Sequence, residues 1–99
     1  MPVRRRLRVP DEVATVVRGL HPTIKARIRA ALDTLREDAT PGKPLRDDLI
    51  GLRSFRVGRF RIIYREPSGK VLEIVAIGPR ASIYQETFRL LAREEPGRR

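Results

Sequence analysis

The stretch from Leu52 to Arg65 constrains this chain more than any other. Two strand-like runs of apolar and basic residues, Leu52–Val57 and Phe60–Arg65, are separated by Gly58–Arg59 alone. Short runs rich in β-branched and aromatic residues and bounded by a glycine turn mark strands. A two-residue Gly-X link suits a type II′ turn, whose first central position needs a positive φ. Register then follows by counting: Val57 pairs with Phe60, Arg56 with Arg61, Phe55 with Ile62, Ser54 with Ile63, and Arg53 with Tyr64. One face carries Phe55, Val57, Phe60 and Ile62 and belongs to a core. The other sets Arg56 directly across from Arg61, with Ser54 beside them and Arg65 further along. Like charges facing each other destabilise a ladder, so selection for folding alone would rarely choose that pair. An anion between the two guanidiniums, each offering a planar fork to phosphate oxygens, resolves the conflict. Two side chains splayed into water are the alternative.

The rest of the chain builds around this hairpin. Val3 to Val9 alternates apolar and basic residues and predicts an edge strand, stopped by Pro10. Asp11 and Glu12 then put negative charge where a helix N-terminus favours it, Val13, Val16 and Val17 follow at helical spacing, and Gly19 suits the C′ position. A second helix starts with Pro22 at its first position and carries Ile24, Ile28, Ala31, Leu32 and Leu35 on one face. The short Leu20–His21 link makes the two helices an antiparallel hairpin. Residues 39–51, with Pro41, Gly42 and Pro44, predict a loop, and Pro67–Ser68–Gly69 a second turn. Val71–Ile77 is apolar except for Glu73, as expected of a central strand covered on both faces. Beyond Gly78–Pro79, Ser82 and Gln85 resemble a capping box, and Tyr84, Phe88 and Leu91 share a helical face. The expected fold is α+β, in the order βααβββ: an N-terminal strand, an antiparallel helical hairpin packed on a small, mainly antiparallel sheet, and a short C-terminal helix. Ninety-nine residues make one domain, 1–99, with 93–99 a frayed tail.

Composition narrows the function classes. There are 22 Lys plus Arg against 12 Asp plus Glu, a formal charge of +10, and 19 of the basic residues are Arg. Genomic base composition is enough to favour Arg over Lys, but it does not explain placement. Five arginines and no acid lie between Arg53 and Arg65, while acids cluster at Asp11–Glu12, Glu37–Asp38 and Asp47–Asp48. An uneven field steers a polyanion to one face. The absence of cysteine removes disulfides, thiolate catalysis and sulfur-ligated zinc, and favours a cytoplasmic setting. No apolar run approaches the roughly 20 residues that span a bilayer, and the basic start leads into no signal-peptide core; a soluble protein with no membrane partner is expected.

Few groups remain for chemistry. Arginine stays protonated, so it stabilises developing negative charge but cannot act as a general base. The single histidine, His21, precedes Pro22 at a helix start and is expected to cap or to face solvent. Glu66 and Glu73 have no partners at metal-ligand spacing, so no metal or other cofactor is expected. Tyr84, four residues after Arg80, is either a proton-handling group or a core or interface aromatic.

The segment Gly51-Leu-Arg-Ser-Phe-Arg-Val-Gly-Arg-Phe-Arg-Ile-Ile-Tyr64, followed by Val71–Ile77 and Gly78-Pro-Arg-Ala-Ser-Ile-Tyr84, resembles the RelE/ParE toxin superfamily, as does Gly42-Lys-Pro-Leu45 before it. The resemblance covers about Val3 to Tyr84. It implies the toxin of a type II toxin–antitoxin system: an endoribonuclease that cleaves mRNA on the ribosome by 2′-OH attack and is held inactive by a cognate antitoxin, with operator DNA contacted through that antitoxin. Matched motif by motif, Arg61, Arg56, Arg80 and Tyr84 take the catalytic positions, with Arg53, Arg59 and Arg65 as supporting RNA contacts. Pro79 stands where many relatives carry His. The ParE branch shares the fold but poisons DNA gyrase without cutting RNA; the set Arg56, Arg61, Arg80 and Tyr84 favours the RelE side.

Overall fold

The computed structural model describes residues 4–94. In chain order these form β1 (Arg6–Arg8), α1 (Asp11–Arg18), α2 (Pro22–Glu37), β2 (Lys43–Pro44), a single 3-10 turn (Asp47–Leu49), β3 (Arg53–Val57), β4 (Phe60–Ser68), β5 (Val71–Pro79) and α3 (Ile83–Glu94). The five strands make one sheet in the order β1-β5-β4-β3-β2. β1 runs parallel to β5, and every other neighbour is antiparallel. The α+β architecture expected from the sequence is the one observed, with one strand more. Lys43 and Pro44 pair with Ser54 and Arg53, within the stretch expected to be loop. An edge is where a strand tolerates proline, because the missing N–H faces no neighbour.

The helices begin and end for identifiable reasons. α1 has Asp11 and Glu12 in its first turn and Arg18 in its last, both favourable to the helix dipole. Gly19 ends it without entering the left-handed region (φ −83°); its N–H is shared between the Thr15 and Val16 carbonyls at 3.3 and 3.2 Å. α2 starts at Pro22, and His21 caps it, Nδ1 accepting from the Thr23 N–H at 3.1 Å. The expected apolar stripe is present, with Ile28, Ala31, Leu32 and Leu35 buried and Ile24 partly so.

The sheet separates two apolar clusters. On one side Val13 and the α2 stripe meet Ile62, Tyr64, Leu72, Ile74 and Ile77, with Phe55, Val57 and Phe60 packed against them. On the other, Ile83 of α3 joins Leu49, Leu52, Ile63, Val75 and Ala76. β5 is therefore covered on both faces, which explains its nearly unbroken apolar sequence. Its pairing shifts after Ile63–Ala76 to Tyr64–Ile74. The extra residue, Val75, lets Val75 and Ala76 both serve the second cluster while Ile74 and Ile77 serve the first.

Several details differ from the sequence reading, and β5 runs past Ile77 through Gly78 and Pro79. β4 runs on through Pro67 and Ser68, so the turn to β5 falls at Gly69–Lys70. Along α3, Ile83 and Thr87 are buried, and Leu90 packs partly buried beside the expected Tyr84 and Leu91, so Phe88 alone of the expected face departs from it. Thr87 enters the core because its hydroxyl donates to the Ile83 carbonyl at 2.8 Å, while Phe88 stays 47% exposed. α3 also takes in Arg93 and Glu94; the rest of the expected tail, 95–99, and Val3 of the first strand lie outside the described residues. Among the described residues no helix is long and apolar enough to cross a membrane.

One side chain fastens the loop after α2 to the sheet. The buried Tyr64 hydroxyl donates to the Ala39 carbonyl at 2.7 Å and accepts from the Gly42 N–H at 2.9 Å. Burial pushes the phenol above its ordinary pKa despite the Gly42 hydrogen bond, so it stays neutral and can donate. A Cβ at Gly42 would lie 2.1 Å from that hydroxyl, which leaves no room for any other residue. Tyr64→Phe, which orphans both backbone groups, should cost about 1–3 kcal/mol in a chemical denaturation experiment. Gly42→Ala should destabilise as well, because the ring must be pushed out of its place.

Candidate functional site

The hairpin has the register expected from its turn. Arg56 pairs with Arg61, and Val57–Phe60, Phe55–Ile62, Ser54–Ile63 and Arg53–Tyr64 complete the ladder. Gly58 carries the positive φ (+60°), while Arg59 does not, as a type II′ turn requires. Beyond Arg61 the ladder meets Gly78. A side chain there would crowd Ile83, 3.3 Å from where a Cβ would sit. The glycine thus lets α3 seat close to the sheet. Directly after Pro79, the Arg80 N–H donates to the Arg59 carbonyl at 2.9 Å and ties the β5–α3 connection to the hairpin tip.

These contacts enclose an open cleft of about 510 Å³ lined by Arg56, Gly58, Arg59, Arg61, Pro79, Arg80 and Ala81. Four of the seven lining residues are arginines and none is acidic, so the field inside has one sign. Arg56 Nε donates to the Gly58 carbonyl at 3.2 Å. Among the described residues Arg61 reaches the Ser54 hydroxyl alone, at 3.4 Å, and its Nε is buried without a partner. A buried donor left unmatched is costly, and an anionic oxygen would match it.

The carboxylates that form ion pairs among the described residues do so with other arginines. Arg4 pairs with Asp33, Arg5 with Glu66, Arg8 and Arg65 with Glu73, Arg89 with Glu12 and Glu86, and Arg93 with Glu12. Among the described residues, Arg56, Arg59, Arg61 and Arg80 meet no carboxylate.

Three residues singled out from the sequence stand apart from the cleft lining. Arg53 donates to the Thr40 and Gly42 carbonyls at 3.2 and 2.7 Å, holding the loop that carries β2. Arg65 hydrogen-bonds Glu73 across the β4–β5 ladder. Tyr84, in the first turn of α3, packs partly buried against the second apolar cluster. Sequence reasoning did not single out Gly78 as part of the site, although a glycine inside an apolar strand is a signal of close approach. The described residues contain no cluster of His, Cys, Asp or Glu able to hold a metal ion.

The sheet thus carries a helical hairpin on one face, a short helix on the other and an arginine-lined cleft at the hairpin tip. Residues 8–84 match the family described as ParE toxin of type II toxin–antitoxin system; the chain belongs to that family, within the RelE/ParE toxin superfamily. Solved structures agree. The chain is 30% identical to one in the RelBE2 toxin–antitoxin complex of Mycobacterium tuberculosis, over 82% of this chain and 97% of that one, with a TM-score of 0.69. A mutant E. coli toxin RelE in the free state superposes with a TM-score of 0.73 at 12% identity, covering 94% of this chain and 99% of that one. The archaeal RelE–RelB complex of Pyrococcus horikoshii gives 0.63 at 22% identity, over 79% and 97%. The last two share the fold. No curated protein matches the sequence significantly.

The Arg65–Glu73 contact has a pH signature. Burial opposes ionisation of Glu73, but hydrogen bonds and charge from Arg65, and then from Arg8, outweigh it and hold its pKa below the usual carboxylate value. A depressed folded-state pKa stabilises the protein fully above the unfolded pKa, and that contribution is lost as pH falls through the folded value. Denaturation measured from neutral pH down through the carboxylate range should show this loss, and Glu73→Gln should flatten that part of the profile.

Proposed function

We propose that this toxin is an endoribonuclease that cleaves mRNA on the ribosome in the cytoplasm, without a metal, and that a cognate antitoxin restrains it. The observation that carries the reading is the cleft of Arg56, Arg59, Arg61 and Arg80, unneutralised and holding an unmatched donor at Arg61 Nε. Such a site offers guanidinium forks to phosphate oxygens and no carboxylates to a divalent cation. In the proposed reaction the 2′-oxygen attacks the adjacent phosphorus and the bond to the 5′-oxygen breaks, leaving a 2′,3′-cyclic phosphate and a 5′-OH. Arg56 and Arg61 clamp the phosphate, and Arg80 stabilises the charge that grows on it. Tyr84 packs outside the cleft lining in the free chain; its proposed part, passing the proton from the 2′-oxygen toward the departing 5′-oxygen, requires its hydroxyl to turn toward Arg80 when RNA binds. Arg59 adds a supporting contact; Arg53 and Arg65 support RNA binding only through the loop and strand they brace. The antitoxin is proposed from the 30% identical relative, which was solved as a toxin–antitoxin complex.

A second reading, a gyrase poison that leaves RNA intact, draws on the family's description as ParE toxin. Mapping RNA 5′ ends after induction, alongside a supercoiling assay, separates the two. The expected outcome is new ends within mRNAs and unaffected supercoiling; intact mRNA with inhibited supercoiling would assign the second reading. Arg61→Ala and Arg80→Ala should each slow cleavage by about 10²–10³, equivalent to roughly 2.7–4 kcal/mol of barrier.

A further inference from the structure

The unpaired arginines do not stop at the cleft. Arg27, on the exposed flank of α2, reaches the hairpin tip from the helix side: a Cβ placed on Gly58 would lie 3.3 and 3.4 Å from its two terminal nitrogens. On the cleft side of the same turn, Arg56 donates to the Gly58 carbonyl. Two guanidiniums from different layers of the fold thus flank one glycine.

Arg27 also lacks the partners that surface helix arginines usually find. Its neighbours at i±3 and i±4 are Thr23, Ile24, Ala30 and Ala31, none acidic. No ion pair or hydrogen bond of its side chain is formed among the described residues. The four cleft arginines share this lack of a carboxylate, and Arg27 extends their field around the turn.

We infer that Arg27 binds the substrate strand: RNA whose scissile phosphate lies in the cleft continues over the hairpin tip and sets a neighbouring phosphate on the Arg27 guanidinium. Geometry selects the form of nucleic acid. A polyanion that touches both sides of a two-residue turn must bend sharply over it. A single strand does so readily, following a basic track by its backbone, whereas a DNA duplex stays stiff over about 150 base pairs. The substrate class is therefore single-stranded RNA longer than the two nucleotides that flank the cut. The inference rests on the ribonuclease reading of the cleft and adds a residue that fixes strand path and length preference. Arg27 acts on binding, not on the reacting atoms.

The test compares a dinucleotide with a hexanucleotide containing the same step, both 2′-O-methylated at the attacking oxygen so that neither is cut. The purified toxin should bind the hexanucleotide more tightly. Arg27→Ala should weaken hexanucleotide binding roughly two- to fivefold, as expected for one exposed ion pair, and leave the dinucleotide unchanged. It should also reduce the salt slope of log K by about 0.7, one phosphate contact on a single strand. Arg27→Lys should restore most of the loss. On ribosomes programmed with a cleavable mRNA, KM should rise at constant kcat. Equal weakening at both lengths, unrelieved by Lys, would make Arg27 a prop of the turn and overturn the inference. If Arg61→Ala weakens both lengths while Arg27→Ala weakens neither, the strand path fails and the cleft stands. If the wild-type toxin binds neither oligonucleotide, the reading of the cleft fails and this inference with it.

Discussion

With only two residues between β3 and β4, every side chain from Arg53 to Tyr64 is assigned to a face of the sheet. Gly58 can take the left-handed backbone that this short turn needs; most other residues would strain it. A slip of one residue would send Phe55 and Ile62 to the wrong side and Arg56 into the core. The apolar cluster beneath the helical hairpin holds the register in place, because Val57, Phe60 and Ile62 all pack there. The opposition of Arg56 and Arg61 is thus enforced by packing on the far side of the same strands. Hydrophobic burial supplies the driving force, and the charged face accepts the consequence.

The distribution of acids leaves that consequence unneutralised. With a net charge of +10, a chain that scattered its carboxylates evenly would neutralise each arginine in part. Here none lines the cleft, and several brace the fold instead. Glu73 links β1 to β4 across β5, and Glu12 holds α3 against α1 through Arg89 and Arg93. The exposed pairs among these, such as Glu12 with Arg93, contribute little stability one by one. Their larger effect is to leave the tip of the hairpin with an unbalanced field that directs an incoming polyanion.

What could be read from the sequence follows from how local each feature is. The hairpin register needed only a turn length and a period of two, and every pair from Arg53–Tyr64 to Val57–Phe60 is found. Both faces of β5 were legible because an unbroken apolar run has few other uses. β2 was not, since two residues, one of them proline, carry no periodicity. Thr87 was missed because its polarity hides a core position that a hydroxyl bonded back to Ile83 makes acceptable. Arg53 and Arg65 look identical in sequence to the cleft arginines. Only tertiary folding brings the Gly42 carbonyl to one and Glu73 to the other. Arg80 was legible by position, but its approach to the tip depends on a backbone hydrogen bond to Arg59 that no pattern predicts.

The facing pair Arg56–Arg61 also couples occupancy to folding. Any anion that seats between the two guanidiniums relieves their repulsion only while β3 and β4 are paired, since the unfolded chain keeps the residues apart. By mass action such a ligand stabilises the native state in proportion to the logarithm of its concentration over its dissociation constant. On the proposed reading of the cleft, the toxin is a more robust molecule when loaded than when empty, and the repulsion that weakens the empty hairpin becomes a source of its affinity for phosphate.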